Sequence, residues 1–399
     1  MRMTQGVAAA LPKRGISLDK LGVVIALVLA AAWLLLPFAD FKPNRILPGE
    51  PRSIFSALPP IHATILAVGL VLSILVSLIR TSAIPRLLLG FIGIVALSLA
   101  IGASGHYLTP EGDRLARIAP GAGFWVLVGA YALLATDALT RLRLGPWPRL
   151  AILALVVIGI CALLWSGAWN ELSILKEYAS RYEAFWREGR THILLAFGSL
   201  IVACVVGIPL GIACYRHKRL RTIVFNILNA IQTIPSIALF GLLIAPLGAL
   251  AAAMPALAAI GVSGIGVAPA MLALFLYSLL PVVANTVVGL LGVPEGANDA
   301  AMGMGMTDSQ RLVTVELPLA FPVILTGIRI VLVQNIGIAT IAALIGGGGF
   351  GVFVFQGIGQ TAMDLVLLGA VPTVGLAFAS AVILDAFVEM TSPREPSHD

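Results

Sequence analysis

Between Asn298 and Pro322 the chain reads NDAAMGMGMTDSQRLVTVELPLAFP, and the meaning of this stretch depends on its surroundings. It sets charged and amide side chains at helical spacing into a chain of 399 residues that is 59% hydrophobic and 11% charged. A soluble domain carries about 25% charged residues. Apolar stretches of about 20 residues, enough to cross a hydrocarbon core of about 30 Å at 1.5 Å per residue, recur from end to end. The composition predicts an all-α polytopic membrane protein, in which this stretch is a polar island between two spans.

Working outward, candidate spans fall at about residues 21–38, 61–79, 84–103, 121–140, 149–169, 191–214, 222–246, 265–288, 320–345 and 364–388, about ten in all. The first, LGVVIALVLAAAWLLLPF, is long for a signal peptide and lacks a clear small-residue cleavage site after it, so it reads as a retained span. With the N-terminus inside, 15 Lys and Arg fall in inside segments, from Arg2 to Arg394, and 9 outside, with Arg329 left within a span. That asymmetry predicts both termini on the cytoplasmic side and puts the opening stretch in the largest cytoplasmic loop. Five spans precede the polar, aromatic-flecked external segment Trp169 to His192, expected as an interfacial helix, and five follow it.

The formal charge of +6 does not indicate nucleic acid, because the basic residues sit in short clusters between apolar segments. Cys161, Cys204 and Cys214 lie inside apolar segments as small hydrophobes, and the five histidines show no ligand-pair spacing. No metal or cofactor is expected. No Gly-Lys dipeptide occurs, so the chain has no phosphate-cradling loop of its own.

Inside the island, Pro294 suits a helix start, and Ala297, Ala300, Ala301 and Met304 recur at i, i+3, i+4 and i+7 as one small apolar face. Gly305 stands where a left-handed cap is wanted, and Thr307 to Gln310 is a capping box that opens a second helix. Leu317-Pro318 is expected to end that helix, because proline disfavours the α conformation in the residue before it. The product is a helix, a tight turn and a helix that together present a knob.

The spacing of Asp299-Ala300-Ala301, Gly305, Val315 and Leu317-Pro318 resembles the EAA loop of bacterial ABC importer permeases, with Asp for the usual Glu and Val for the usual Ile. From Thr191 to Glu389, HILLAFGSLIVACVVGIPLGI, IQTIPSIALFGLL, FLYSLLPVVANTVVGL, TIAALIGGGGFG and LLGAVPTVGLAFASAVILDAF are similar to the glycine betaine, carnitine and choline permeases of the osmoprotectant group. The first 190 residues look like the N-terminal membrane extension of longer members. The resemblance implies a type I importer permease core at residues 191–399 and an extension of unknown role at 1–190. It makes 294–318 the loop that docks on the ATPase, through Glu295, Ala297, Asp299, Ala300, Ala301, Met304, Gly305, Thr307, Gln310, Leu317 and Pro318. It further implies two ATPase subunits, a second permease (identical or a shorter paralogue) and a periplasmic or lipid-anchored substrate-binding protein. The setting would be the lipid of a bacterial cytoplasmic (inner) membrane.

Gln232, Thr233, Pro235 and Ser236 interrupt an apolar span, and unwound backbone at that depth must face protein or a water-filled cavity. With Tyr277, Asn285, Thr286, Gln334, Asn335 and Thr340 they are candidates for a translocation path, and interhelical hydrogen bonding explains any one of them equally well. GGGGFG, Gly346 to Gly351, follows a membrane helix rather than a strand, so it reads as a flexible, tightly turned external loop or, by the resemblance, as a loop near the binding-protein surface. Arg329 should be paired or snorkelling. The rival class, an ion- or proton-coupled secondary transporter, wants a midplane carboxylate, whereas Asp137, Asp364, Asp385 and Glu389 lie near span ends.

Overall fold

The structure, a computed structural model, describes residues 18–44, 49–110, 112–113 and 115–392. Arg2, Lys13, Arg14, Arg45, Arg114 and Arg394, which enter the charge count, lie outside the described residues. Two compact units emerge: Met1–Leu144 with Leu164–Leu172, and Gly145–Leu163 with Ser173–Asp399.

The first unit holds α1 (Lys20–Leu35), α2 (Ile54–Ala57), α3 (Pro60–Leu78), α4 (Ala83–Leu108) and α5 (Ala122–Leu142). Asp19 starts α1 by accepting the Gly22 N–H at 3.0 Å, which satisfies one of the orphan donors of a helix N-terminus. α4 and α5 approach closely because α4 offers glycines. A Cβ on Gly93 would lie 2.4 Å from the Tyr131 ring. A small antiparallel sheet, β1 (Ala39–Lys42), β2 (Glu50–Arg52) and β3 (Arg117–Pro120) in the order β2-β1-β3, was not expected. Strands of three or four residues are too short for alternation to show, and Pro51 sits on the edge strand, where a missing donor is tolerated. Residues 164–172 lie along α4, where the Trp169 Nε1–H donates to the Ser98 carbonyl at 2.8 Å.

The second unit takes in most of α6 (Pro146–Trp165), followed by α7 (Ser173–Ser180) and the 35-residue α8 (Tyr182–Arg216). The polar segment Trp169 to His192 is therefore a short helix plus the opening turns of a long one, and the expected division at 190/191 falls inside α8. The span expected at 222–246 is two helices, α9 (Lys218–Thr233) and α10 (Ser236–Ala253), parted at Ile234-Pro235. α11 (Pro255–Ala259), α12 (Val267–Leu291), α13 (Glu295–Gly303) and α14 (Asp308–Arg311) follow. A π-helical turn (Leu312–Glu316) then leads into α15 (Leu317–Ala339), a 3-10 turn (Ile341–Ile345), α16 (Gly351–Gly359) and α17 (Met363–Thr391). Among the described residues nine helices are long and apolar enough to span, and α1 adds a shorter one of 16 residues.

The helix expected to end at Leu317-Pro318 does not end there. Asp308 to Ala339 is continuous, and the π turn just before Pro318 widens the backbone where proline supplies no N–H and its ring would crowd the preceding turn. The core of this unit is built from α8, α12 and α15, where Ala196, Leu200 and Ala203 meet Val282, Val331, Leu332 and Ile336. Lipid tails supply no hydrophobic drive between such helices, so close packing of small residues holds them. A Cβ on Gly211 would stand 2.6 Å from Thr286, and one on Gly327 2.6 Å from Asn285.

Candidate functional site

The island of the sequence forms a knob. α13 closes in a Schellman motif: Met306 N–H bonds the Ala301 carbonyl at 3.1 Å, Gly305 N–H bonds Met302 at 2.9 Å, and Gly305 takes φ +78°. One residue on, Thr307 and Gln310 form the capping box, with Thr307 N–H on Gln310 Oε1 at 2.8 Å and Gln310 N–H on Thr307 Oγ1 at 3.3 Å. Two local motifs back to back set the angle of the turn. Behind it Arg311 reaches the buried Glu316 at 2.8 Å and Asp308 at 3.3 Å, fixing the second helix to its own turn.

The two faces of α13 differ from the face the spacing suggested. Ala297 packs towards Leu290, Val293, Ala320 and Ile324, and Ala301 is buried, so both turn into the protein. Glu295, Asp299, Ala300 and Gly305 are exposed, as is Met304 at 70%, and these form the outward surface. Thr307 and Gln310 are exposed beside it, whereas Leu317 packs into the same inner cluster as Ala297. Asn298, not singled out in the sequence, buries its amide oxygen there without a partner among the described residues.

The polar residues at membrane depth divide into two groups. Pro281 has no N–H, so the carbonyl of Tyr277, four residues back in α12, loses its helical donor. Gln232 supplies one, its Nε2 lying 2.9 Å from the Tyr277 oxygen, while the Tyr277 hydroxyl donates to the Ile234 carbonyl in the gap between α9 and α10. The break at Gln232 to Ser236 is thus stitched to α12. Ile231, Ile234, Tyr277, Ala339 and Ala342 pack in one cluster, which brings Gln232, Tyr277 and Thr340 to a common region with half-buried Ser236 and exposed Thr233 and Pro235 at its rim.

Asn335 belongs to the other group. Fully buried, it donates from Nδ2 to Ser199 and Ser278 at 2.9 Å each, tying α15 to α8 and α12. Its serine partners could not be read from the sequence, because the register of three helices decides them. Asn285 and Thr286 bond carbonyls of their own helix, at Pro281 and Val282, and half-buried Gln334 lies one residue before Asn335. Arg329, the one charge well inside a span, pairs with Asp385, which together with Glu389 also binds Arg149 of α6.

The glycine run is turned but not slack. Gly346, Gly348 and Gly349 all take positive φ, and the buried Glu188 of α8 accepts the Gly349 N–H at 2.9 Å. A Cβ on Gly351 would meet the Thr340 carbonyl oxygen at 1.8 Å. Glu188 and His192, whose ring lies 5.2 Å from that of Phe350, are the anchors of this loop that sequence reading missed.

Replacing Gln232 by alanine orphans the Tyr277 carbonyl, a loss of about 1–2 kcal/mol for a buried acceptor. The thermal midpoint of purified Gln232→Ala is expected to fall by a few degrees. Thr233→Ala, whose exposed hydroxyl bonds only Ala230 of its own helix, serves as the control and should not shift. Equal midpoints for the two variants would dissolve the stitch.

A helical membrane chain with a capped knob between two of its spans has the build of a transport permease. Residues 205–395 match the model of the family described as binding-protein-dependent transport system inner membrane component. Residues 19–175 match that described as ABC transporter permease YehY, N-terminal domain. The osmoprotectant import permease protein OsmW of Salmonella typhimurium is 42% identical over 203 residues, 51% of this chain and 89% of that protein. The carnitine transport permease protein OpuCB of Listeria monocytogenes is 34% identical over 203 residues, covering 51% and 86%. The choline transport system permease protein OpuBB of Bacillus subtilis is 37% identical over 193 residues, covering 48% and 82%. Among solved structures, the inward-facing MetNI methionine ABC transporter aligns at TM-score 0.44 and 22% identity, over 53% of this chain and 98% of that one. The chain belongs to the ABC importer permeases, and carries in addition the N-terminal domain of a long form.

Proposed function

We propose that the chain is the membrane-spanning subunit that passes a quaternary ammonium osmoprotectant of the glycine betaine kind inward by alternating access, driven by ATP hydrolysis on two copies of a separate subunit. The observation that carries this reading is the knob, whose turn is held by a Schellman motif and a capping box and whose outward face ends at the exposed Met304. The substrate class rests on what the relatives are named for. In this reading the knob docks on the ATPase through Glu295, Asp299, Ala300, Met304 and Gly305, with Thr307 and Gln310 setting its angle. Ala297, Ala301, Leu317 and Pro318 then pass the motion inward to the spans.

The translocation path would run past Gln232, Thr233, Pro235, Ser236, Tyr277 and Thr340, with Gln334, Asn285 and Thr286 beyond. Asn335 acts there as a packing hub. Both termini would be cytoplasmic, residues 191–399 would be the permease core, and 1–190 an added membrane extension. A second permease, identical or shorter, and an external binding protein would complete the importer. Carboxylate placement weighs against proton coupling: Asp137 pairs with Arg86 and Arg141, Asp364 accepts from Ser173, and Asp385 pairs with Arg329.

The test is uptake of labelled glycine betaine into liposomes holding the chain. No ATP turnover is expected from the chain alone, and uptake should require ATPase, binding protein and internal ATP together. Turnover by the rigorously purified chain, or uptake driven by a proton gradient without nucleotide, would overturn the proposal.

A further inference from the structure

Between α3 and α4 of the first unit lies an open cavity of about 580 Å³, lined by Leu70, Leu72, Ile92, Ala96, Leu99 and Ala100 among others. We propose that it holds one acyl chain of a membrane phospholipid as a bound, co-purifying component of the protein. Three observations exclude other ligands and select this one.

The first is chemistry. The only polar side chains in the lining are His62, Ser73 and Tyr131. The last two are spent on each other: the Tyr131 hydroxyl donates to Ser73 Oγ at 2.7 Å, and Ser73 Oγ donates to the Gly69 carbonyl at 2.7 Å. No charged group and no free donor faces the cavity apart from exposed His62 at one end, so a betaine, a nucleotide or a sugar finds nothing to recognise. An occupant must be apolar.

The second is length. The lining runs from His62 to Ser73 on α3, about 16 Å along a helix axis. One leaflet of hydrocarbon is about 15 Å deep, half the core. α3 and α4 are successive, joined by Ile79 to Ser82 beyond the Ser73 and Leu89 end of the lining, and exposed His62 stands with Ala103 at the other end. A single tail entering from that side fits, with its headgroup beside His62.

The third is that the lips are built for lipid. Ile65, Leu72, Ile92 and Leu99 are 66%, 55%, 63% and 53% exposed, and small residues, Gly69, Gly93, Ala96, Ala100 and Ala103, form a trough between them. A void at membrane depth that no protein atom fills forfeits dispersion contacts along its whole lining. A tail held in the trough recovers them.

Gly69 makes the inference testable, since a side chain there would meet nothing within 4 Å and would fill the trough. Gly129 on α5, outside the lining and equally open, is the matched control. Both replace a helical glycine by a better helix former, so folding should not suffer. The full chain is purified, stripped with mild detergent and weighed by native mass spectrometry, with phospholipid extracted and counted. Wild type and Gly129→Phe are expected to retain one phospholipid per chain. Gly69→Phe should lose it about tenfold, the order set by denying several methylenes their contacts. A photoreactive residue at Leu72 should cross-link lipid in native membranes. Equal lipid in Gly69→Phe and Gly129→Phe, an empty wild type, or cross-links to peptide instead of lipid would each overturn the assignment.

Discussion

Gly305→Val is expected to insert at the wild-type level, bind its ATPase and fail to transport, with uptake reduced by an order of magnitude or more. The backbone at Gly305 has φ +78°, and a Cβ placed there meets no atom within 4 Å. The penalty is therefore conformational and not steric contact with the rest of the protein, about 1–2 kcal/mol for an L-residue in the left-handed region and worse for a β-branched one. That sum does not unfold a bundle of membrane helices. It does undo the Schellman turn, because the Met306-to-Ala301 bond depends on the left-handed residue between them. α13 would then swing relative to the Thr307 capping box, and the Asp299, Ala300, Met304 surface would no longer meet its partner at the angle α15 needs. Gly305→Asn, which tolerates the left-handed region, should recover a large part of uptake. The measurement is betaine uptake at matched expression, alongside ATPase stimulation by loaded binding protein. Wild-type uptake by the valine variant would remove this turn from the coupling mechanism.

The turn was legible because its determinants are neighbours in the chain: a glycine two residues before a threonine that has glutamine three residues on. Which side of α13 faces outward was not, since alanine at 297, 300 and 301 is equally suited to either side and the packing of Leu290 and Ala320 decides. The break near Pro235 could be read from an apolar run interrupted by polar residues. Its repair could not, because Gln232 and the Tyr277 carbonyl are 45 residues apart and meet only once α9 and α12 pack. Pro318 misled for a physical reason: a proline stops a regular α-helix, but one π turn ahead of it gives room for the ring. The sheet at Ala39, Glu50 and Arg117 rests on pairing between distant segments, which short strands do not announce.

The second large effect is expected in the first unit, at Arg86. Its side chain has no exposed surface, and its guanidinium is divided among Asp19 at 3.0 Å, Asp137 at 3.3 Å, Thr81 Oγ1 at 3.2 Å and the Ile79 carbonyl at 3.2 Å. Arg141 closes the group, at 3.0 Å from Asp19 and 2.9 Å from Asp137. These two arginines and two aspartates join the start of α1, the start of α4 and the end of α5. Burial works against the Asp19 charge, but the Gly22 N–H, the hydrogen bond from Arg141 and the charges of Arg86 and Arg141 outweigh it and hold the carboxyl below the usual carboxylate range. A depressed carboxyl stabilises the fold above its unfolded pKa of about 4, and that contribution disappears as the pH falls through the lower folded value. At neutral pH the network is therefore intact, and Arg86→Ala breaks it by leaving two carboxylates to one arginine, at about 3–5 kcal/mol. The probe can be local. Cys161, Cys204 and Cys214 all lie in the second unit; of the six tryptophans Trp33, Trp125, Trp165 and Trp169 lie in the first and Trp147 and Trp186 in the second, so the emission is read in a background carrying Trp147→Phe and Trp186→Phe. Tryptophan emission should report a transition lowered on the order of 10 °C in Arg86→Ala. A thiol-reactive dye, which reads only the second unit, should report one close to wild type. Unchanged tryptophan melting would show that the four charges contribute nothing net to the stability of the first unit.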